Sequence, residues 1–239
     1  MITRRFFMAA SALLVLAGPA LPLGAKAKLA ADAPYCAAPG ARPLFVAPMG
    51  EPFRSIAGRP YPSAAWMAGA DRNHDGAIDR SEFVADAARF FRSLDHDHDG
   101  RLSPDEIIAY ERDIVPEIAL YGSREPAPPG RAPRGGESGY GGPMGAGRFA
   151  WLNVPEPVAS ADADMDRLVD AREFAAAAGR RFDALDPAGR GRLTLSALPR
   201  TPQQISIEGP CRARPKPRRS GGNPRPARDG SGPSAEDGP

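Results

Sequence analysis

The chain has few of the residues from which catalytic and transition-metal sites are usually built. It contains 3 histidines and 2 cysteines among its 239 residues. His74, His96 and His98 all lie in two short acidic segments, at positions that point away from an ion held by the neighbouring acids. We interpret them as solvated loop residues, because a transition-metal site needs convergent ligands. No nucleophile–base pair and no phosphate-binding glycine loop in a strand–helix context is recognisable, so the sequence predicts no enzyme.

Long apolar runs are also lacking, apart from one near the N-terminus. Two arginines precede an apolar stretch from Phe6 to Ala17, and a cleavage candidate follows at 25–27. The stretch is too short to span a bilayer comfortably, and no lipid-attachment cysteine follows it. Residues 1–27 are therefore predicted to be an export signal peptide, and no membrane span is expected after its removal. A twin-arginine signal and an ordinary secretory signal both fit, and either predicts a periplasmic or secreted protein.

The two cysteines, Cys36 and Cys211, flank the central part of the chain. In an oxidising compartment they are candidates for one disulfide, with two inert thiols as the alternative.

Two acidic segments, DRNHDGAIDRSE at 71–82 and DHDHDGRLSPDE at 95–106, share one pattern. Oxygen side chains occupy positions 1, 3, 5, 9 and 12, and Gly76 and Gly100 supply a positive-φ turn at position 6. A hard divalent cation takes six to eight oxygen ligands, and this spacing folds a short loop around one. Acidic surface turns without a metal are the alternative, which two matches in one chain disfavour. The candidate ligands are Asp71, Asn73, Asp75, the Ala77 carbonyl, Asp79 and Glu82 in loop one, and Asp95, Asp97, Asp99, the Arg101 carbonyl, Ser103 and Glu106 in loop two.

These motifs resemble those of the EF-hand calcium-binding family, in particular exported bacterial proteins with closely spaced hands. The resemblance extends over roughly residues 62–200 and is strongest in the two loops. It implies a helical fold and calcium as the ligand. It implies no single cellular role, because EF-hands serve as buffers, sensors and structural sites.

A second pair of loops repeats the first. FVADAARFFRSLD at 83–95 aligns with FAAAAGRRFDALD at 174–186. Loop three keeps its acids, but Arg167 stands where glycine is expected, so a weaker site is predicted. Loop four keeps only Asp186 and is predicted to bind no calcium, although Arg190 could supply a positive charge in place of the ion. The candidate ligands of loop three are Asp162, Asp164, Asp166, Asp170 and Glu173.

The short spacing within each half limits how the loops can pair. The helix between loops one and two is about 18 Å long at 1.5 Å per residue, so these loops lie at opposite ends of a shared helix. If helix 83–94 packs antiparallel to helix 174–185, loop one meets loop four and loop two meets loop three. The predicted fold class is all-α, an EF-hand array of four helix–loop–helix units in two duplicated halves, with a disordered linker and tail.

Composition divides the chain after residue 27 into five segments. An extended N-terminal segment is followed by EF-hands one and two, a Gly/Pro-rich linker, EF-hands three and four, and a basic Pro/Gly-rich tail. The predicted boundaries are 28–61, 62–121, 122–148, 149–200 and 201–239.

Calcium binding in a structural or buffering role is the function that the sequence predicts. The alternative is a calcium-regulated adaptor whose linker and basic tail bind an unknown protein or an anionic envelope component. Residues 210–230 lack aromatic and large aliphatic side chains from which to build a site. A solvated tail is therefore the simpler interpretation, and no nucleic-acid partner is expected.

Overall fold

The computed structural model describes residue 29 and residues 33–119 and 143–213. The predicted signal peptide, most of the predicted linker and residues 214–239 of the predicted tail lie outside these ranges. In chain order the elements are β1 (Leu44–Val46), β2 (Pro52–Arg54), α1 (Ser63–Ala70), β3 (Ile78–Asp79), α2 (Arg80–Leu94), β4 (Arg101–Leu102), α3 (Pro104–Ala109), β5 (Val169–Asp170), α4 (Ala171–Leu185), β6 (Arg192–Leu193) and α5 (Pro202–Glu208).

The core is built on α2 and α4, which pack antiparallel. Phe83 at the start of α2 contacts Phe182 near the end of α4, with ring centroids 5.7 Å apart. At the other end of the pair, the centroids of Phe91 and Phe174 are 5.4 Å apart. All four rings are buried, so each helix turns one apolar face towards the other. None of the helices in the described ranges has the length and apolar character needed to cross a membrane.

Both long helices begin within a loop. The carboxylates of Asp79 and Asp170 accept hydrogen bonds from the N–H groups three residues later, at 2.8 and 2.7 Å. Glu82 and Glu173 in turn accept from the N–H groups of Asp79 and Asp170, both at 2.9 Å. Because this reciprocal pair satisfies N–H groups that a helix start leaves without partners, the residue that ends each loop also fixes the first helical turn.

Two of the two-stranded sheets join the loops across the helix pair. In the first, β3 of loop one pairs antiparallel with β6 of loop four, with Ile78 opposite Leu193. In the second, β4 of loop two pairs antiparallel with β5 of loop three, with Leu102 opposite Val169. All four of these side chains are buried. The crosswise pairing predicted from the short shared helix is therefore confirmed.

The N-terminal segment covers the core with a third sheet and is linked to the far end of the described chain. Strands β1 and β2 pair antiparallel, and the ring centroid of Phe45 lies 4.6 Å from that of Trp151. Cys36 and Cys211 form a disulfide with their Cα atoms 5.0 Å apart. The Cys36 N–H also donates to the Arg212 carbonyl at 2.8 Å. Of the two alternatives for the cysteines, the disulfide is confirmed.

The prediction of an all-α array of four helix–loop–helix units is wrong. The described residues combine five α-helices with three small antiparallel sheets, a mixed α/β architecture. Loop three is entered by a 3₁₀ turn, Ala159–Ala161, because Pro155 and Pro157 lack the N–H groups that a preceding α-helix needs. Loop four is followed by a short turn rather than a helix. Ala197 stands there in place of the glutamate that completes the helix start in the other loops.

Ordered structure also extends into both segments predicted to be disordered. Gly145–Arg148, at the end of the predicted linker, forms a 3₁₀ turn, and its Ala146 is buried. In the predicted tail, Pro202–Glu208 forms α5, and Thr201 at its start accepts a hydrogen bond from the Gln204 N–H at 3.1 Å. The expectation of disorder from residue 201 onwards is therefore wrong as far as residue 213.

A buried polar cluster lies between α4 and the segment that leads into loop three. Arg181 donates to the carbonyls of Pro48 and Pro157 at 2.9 and 2.8 Å and to the Ser160 hydroxyl at 2.9 Å. Nearby, Glu156 accepts from the Ala159 N–H through one oxygen, and its buried Oε1 has no hydrogen-bond partner among the described residues. Burial raises the pKa of the Glu156 carboxyl to about 7.

Replacing Glu156 should remove a pH dependence of stability. Between its ordinary pKa of 4.5 and about 7, the unfolded chain loses the proton while the folded chain keeps it. The free energy of unfolding of the wild type should therefore fall as pH rises through this window, by up to about 3 kcal/mol. Glu156→Gln stays neutral, so this fall should be absent when urea unfolding is measured from pH 4.5 to 8. An equal fall in both proteins would mean that the fold accommodates the ionised carboxylate.

Removing the disulfide should weaken the fold without changing its sites. The bond closes a loop with a sequence separation of 175, which in the chain-entropy model stabilises the fold by about 5 kcal/mol, or less where the unfolded state retains structure. The Cys36→Ser, Cys211→Ser double variant should lose about 2 to 5 kcal/mol of unfolding free energy in urea. An unchanged unfolding midpoint would contradict a stabilising role for the bond.

Candidate metal centres

Loop one folds so that its acidic side chains turn inward onto its own backbone. Asp71 accepts hydrogen bonds from the N–H groups of Asp75 and Gly76 at 3.2 and 2.9 Å. Glu82, at the last position, accepts from the N–H groups of Arg72 and Asn73 at 3.0 and 3.1 Å. Asp71 and Glu82 are both buried, so the carboxylates at the two ends of the loop are turned away from solvent.

Loop two repeats this arrangement. Asp95 is buried and accepts from the Gly100 N–H at 3.1 Å, and Glu106 accepts from the His96 N–H at 2.7 Å. Ligand oxygens of Asp95, Asp97 and Asp99 all lie within 4.8 Å of one another. Like charges this close repel each other, so the cluster favours a bound cation.

The Glu106 carboxyl is held in its ionised form. Burial raises its pKa, but the hydrogen bonds from the N–H groups of Ser103, His96 and Asp97 and from the Ser103 hydroxyl together lower it by more, so the net shift is downward. The Ser103 hydroxyl donates to Glu106 at 3.0 Å and accepts from the Glu106 N–H at 3.4 Å. Ser103 therefore caps the start of helix α3, and its hydroxyl is hydrogen-bonded to Glu106.

Loop three takes the same backbone course without the glycine. Arg167 adopts a φ of 73° and donates its N–H to Asp162 at 3.1 Å, as the glycines of loops one and two do to Asp71 and Asp95. Ligand oxygens of Asp162, Asp164 and Glu173 lie within 4.8 Å of one another. The loop thus brings three of its acids together, although the left-handed residue at position 6 bears a Cβ.

Loop four keeps this backbone but not the ligands. Gly191 at position 6 has a φ of 71°, and its N–H donates to Asp186 at 2.6 Å. Ala188, Arg190 and Ala197 replace the other acids. The loop therefore keeps the backbone course that pairs Leu193 with Ile78, but it retains only one acidic ligand, Asp186.

The histidines have a conformational role. His74 and His98, at position 4, adopt left-handed φ angles of 58° and 59° and are exposed. Position 4 is left-handed in the other loops as well, where Met165 has a φ of 63° and Gly189 also 63°. Histidine is among the residues that tolerate this region, which gives a physical reason for reading these side chains as loop residues.

The donor set fits calcium, which takes carboxylate, amide and carbonyl oxygens. The Oδ1 atom of Asp95 is buried and has no hydrogen-bond partner among the described residues. A buried carboxylate oxygen without a partner destabilises the fold, unless a cation or a water molecule contacts it. Loops one and two would hold the ion with the ligands assigned from the sequence, among which Asp79 and Ser103 also cap the helices that follow.

One charged residue near the sites was missed in the sequence. The Arg192 guanidinium lies 3.8 Å from a carboxylate oxygen of Asp75, a candidate ligand of loop one. The sequence pointed instead to Arg190 as a source of positive charge. The register of the loop-one and loop-four strands could have revealed it, because pairing Ile78 with Leu193 places Arg192 opposite Asp79.

Comparison with known proteins agrees with this geometry. The EF-hand family model matches residues 65–85 and 87–109, which contain loops one and two, most of α1 and α2 and all of α3. No curated protein matches the chain. The resemblance drawn from the two acidic loops is therefore confirmed, and residues 65–109 carry two motifs of the EF-hand calcium-binding family.

Proposed function

We propose that this chain is an exported calcium-binding protein with full sites in loops one and two and a weaker site in loop three. The observation that carries the proposal is the inward placement of Glu82 and Glu106 within the two matched EF-hand motifs. Bound calcium offsets the mutual repulsion of the loop carboxylates. The chain's part is to hold these carboxylates in place, because the helix starts at Asp79 and Ser103 orient both glutamates.

A structural or buffering role is favoured over catalysis. Helix α2 begins in loop one and leads into loop two, so an ion in either loop fixes one end of the main core helix. The small sheets connect loops one and two to loops four and three, which lie at the two ends of α4, so a bound ion would also restrain α4. Outside the cytoplasm, where calcium can be plentiful, sites with a Kd of about 10⁻⁴ to 10⁻³ M suffice for such a role.

Export to the periplasm or the medium is supported by two independent features. The N-terminal sequence has the basic, apolar and small-residue regions of a signal peptide. The disulfide between Cys36 and Cys211 belongs in an oxidising compartment.

Neutralising Glu82 and Glu106 should abolish calcium binding at the two full sites. Gln keeps the size of Glu and its acceptor oxygen at the helix start, so the Glu82→Gln, Glu106→Gln variant should fold. Calorimetric titration of calcium should detect two sites in the wild type that are absent in the variant. The matched control is Asp105→Asn, which removes the exposed charge next to Glu106 and should keep both sites, with affinities within a few fold of the wild type.

Unchanged heats in the double variant would rule out the assignment of these ligands. The same samples distinguish the adaptor alternative, because an adaptor would expose apolar surface on binding calcium. An anilinonaphthalene sulfonate dye should then fluoresce only with the metal, and its failure to do so would favour a structural or buffering protein.

Restoring glycine in loop three should tighten its site. Arg167 holds a left-handed conformation that costs a residue with a Cβ about 1 kcal/mol or more, and calcium binding requires that turn. In a background with Glu82→Gln and Glu106→Gln, Arg167→Gly should bind calcium about fivefold more tightly than Arg167→Ala. The alanine variant removes the same charge but keeps the Cβ, so equal affinities would attribute the weakness to charge rather than to the backbone.

A further inference from the structure

The crosswise sheets place position 7 of one loop against the site of its partner. Arg192, at position 7 of loop four, lies opposite Asp79, a candidate ligand of loop one. Arg101, at position 7 of loop two, lies opposite Asp170, a candidate ligand of loop three. Continuing the second register by one residue places Leu168, at position 7 of loop three, opposite Ser103 of loop two. Each metal loop therefore faces a position-7 residue that belongs to another part of the chain.

Side-chain geometry in the first sheet shows how far this influence reaches. Arg192 extends across the sheet to within 3.8 Å of Asp75, and the two side chains are 53% and 51% exposed. The strand register fixes the Arg192 backbone opposite Asp79, so the side chain extends from a position next to loop one. The guanidinium and a divalent ion would thus compete for the same carboxylate.

We infer that the position-7 residue of each loop sets the calcium affinity of its partner loop. Arg192 weakens loop one and Arg101 weakens loop three, whereas loop two faces the uncharged Leu168 and is spared this cross-sheet effect. The inference rests on the proposed function, because it concerns how strongly the same loops bind calcium. It ranks two sites whose own ligand sets look equally complete, and it assigns a role to a loop that keeps only one acidic ligand.

The direction follows from the charges. In the calcium-free chain, Arg192 offsets part of the repulsion among the loop-one carboxylates, so calcium gains less by entering. In the loaded chain, the guanidinium and the ion repel each other. Both effects weaken binding. Their size is limited by solvent, since an exposed pair at this distance changes an equilibrium by only a few fold and is screened by salt.

The test isolates loop one and removes the charge from loop four. In a background with Glu106→Gln and Glu173→Gln, calcium is titrated by calorimetry at low salt. Arg192→Gln should tighten binding about two- to fivefold, and this gain should shrink in about 0.5 M salt. Arg190→Gln is the matched control, because it removes the same charge from the same exposed loop without the contact to Asp75. It should change the affinity by much less.

A converse variant tests the ranking at loop two. In a background with Glu82→Gln and Glu173→Gln, Leu168→Arg should weaken calcium binding by a similar few-fold factor, while Leu168→Gln should not. Equal effects of Arg192→Gln and Arg190→Gln, or no effect of Leu168→Arg, would overturn the inference while leaving calcium binding intact. A wild-type chain that gives no calcium heats would instead overturn the proposed function, and this inference with it.

Discussion

The antiparallel packing of α2 against α4 is the constraint on which the rest of the structure depends. Each helix carries one loop at its start and another at its end. Once Phe83 meets Phe182 and Phe91 meets Phe174, the four loop ends can associate in only one way. The sheets then lock this association through buried aliphatic side chains. The pairing of the loops and the contact between Arg192 and Asp75 both follow from this single arrangement.

The candidate sites could be read from the sequence because their information is local. Ligand spacing, the glycine of each turn and the reciprocal bonds of Asp79 with Glu82 all fall within a dozen residues, where backbone geometry leaves few choices. The crosswise pairing was also accessible, since the length of α2 keeps loops one and two apart. These features need no knowledge of what lies elsewhere in the fold.

The features that were missed depend on distant contacts. Strands β1 and β2 are three residues each and are stabilised by Phe45 packing on Trp151, which lies more than a hundred residues away. Likewise, α5 lies in a stretch whose composition favours disorder, but its start is tied to the core because the Tyr61 hydroxyl lies 2.7 Å from that of Thr201. Local composition contains no information about such distant partners. A prediction from composition was therefore wrong about both the fold class and the extent of ordered structure.

The disulfide has a topological consequence. Because the Cα atoms of Cys36 and Cys211 are 5.0 Å apart, the two ends of the described fold meet at one point. The contacts between the halves include those of α2 with α4, of the paired loops and of Phe45 with Trp151, and none of these depends on which half comes first along the chain. A circularly permuted gene, opened between residues 119 and 143 and closed near this point, would therefore specify the same set of contacts. In this sense, the fold does not require the order in which the duplicated halves follow one another.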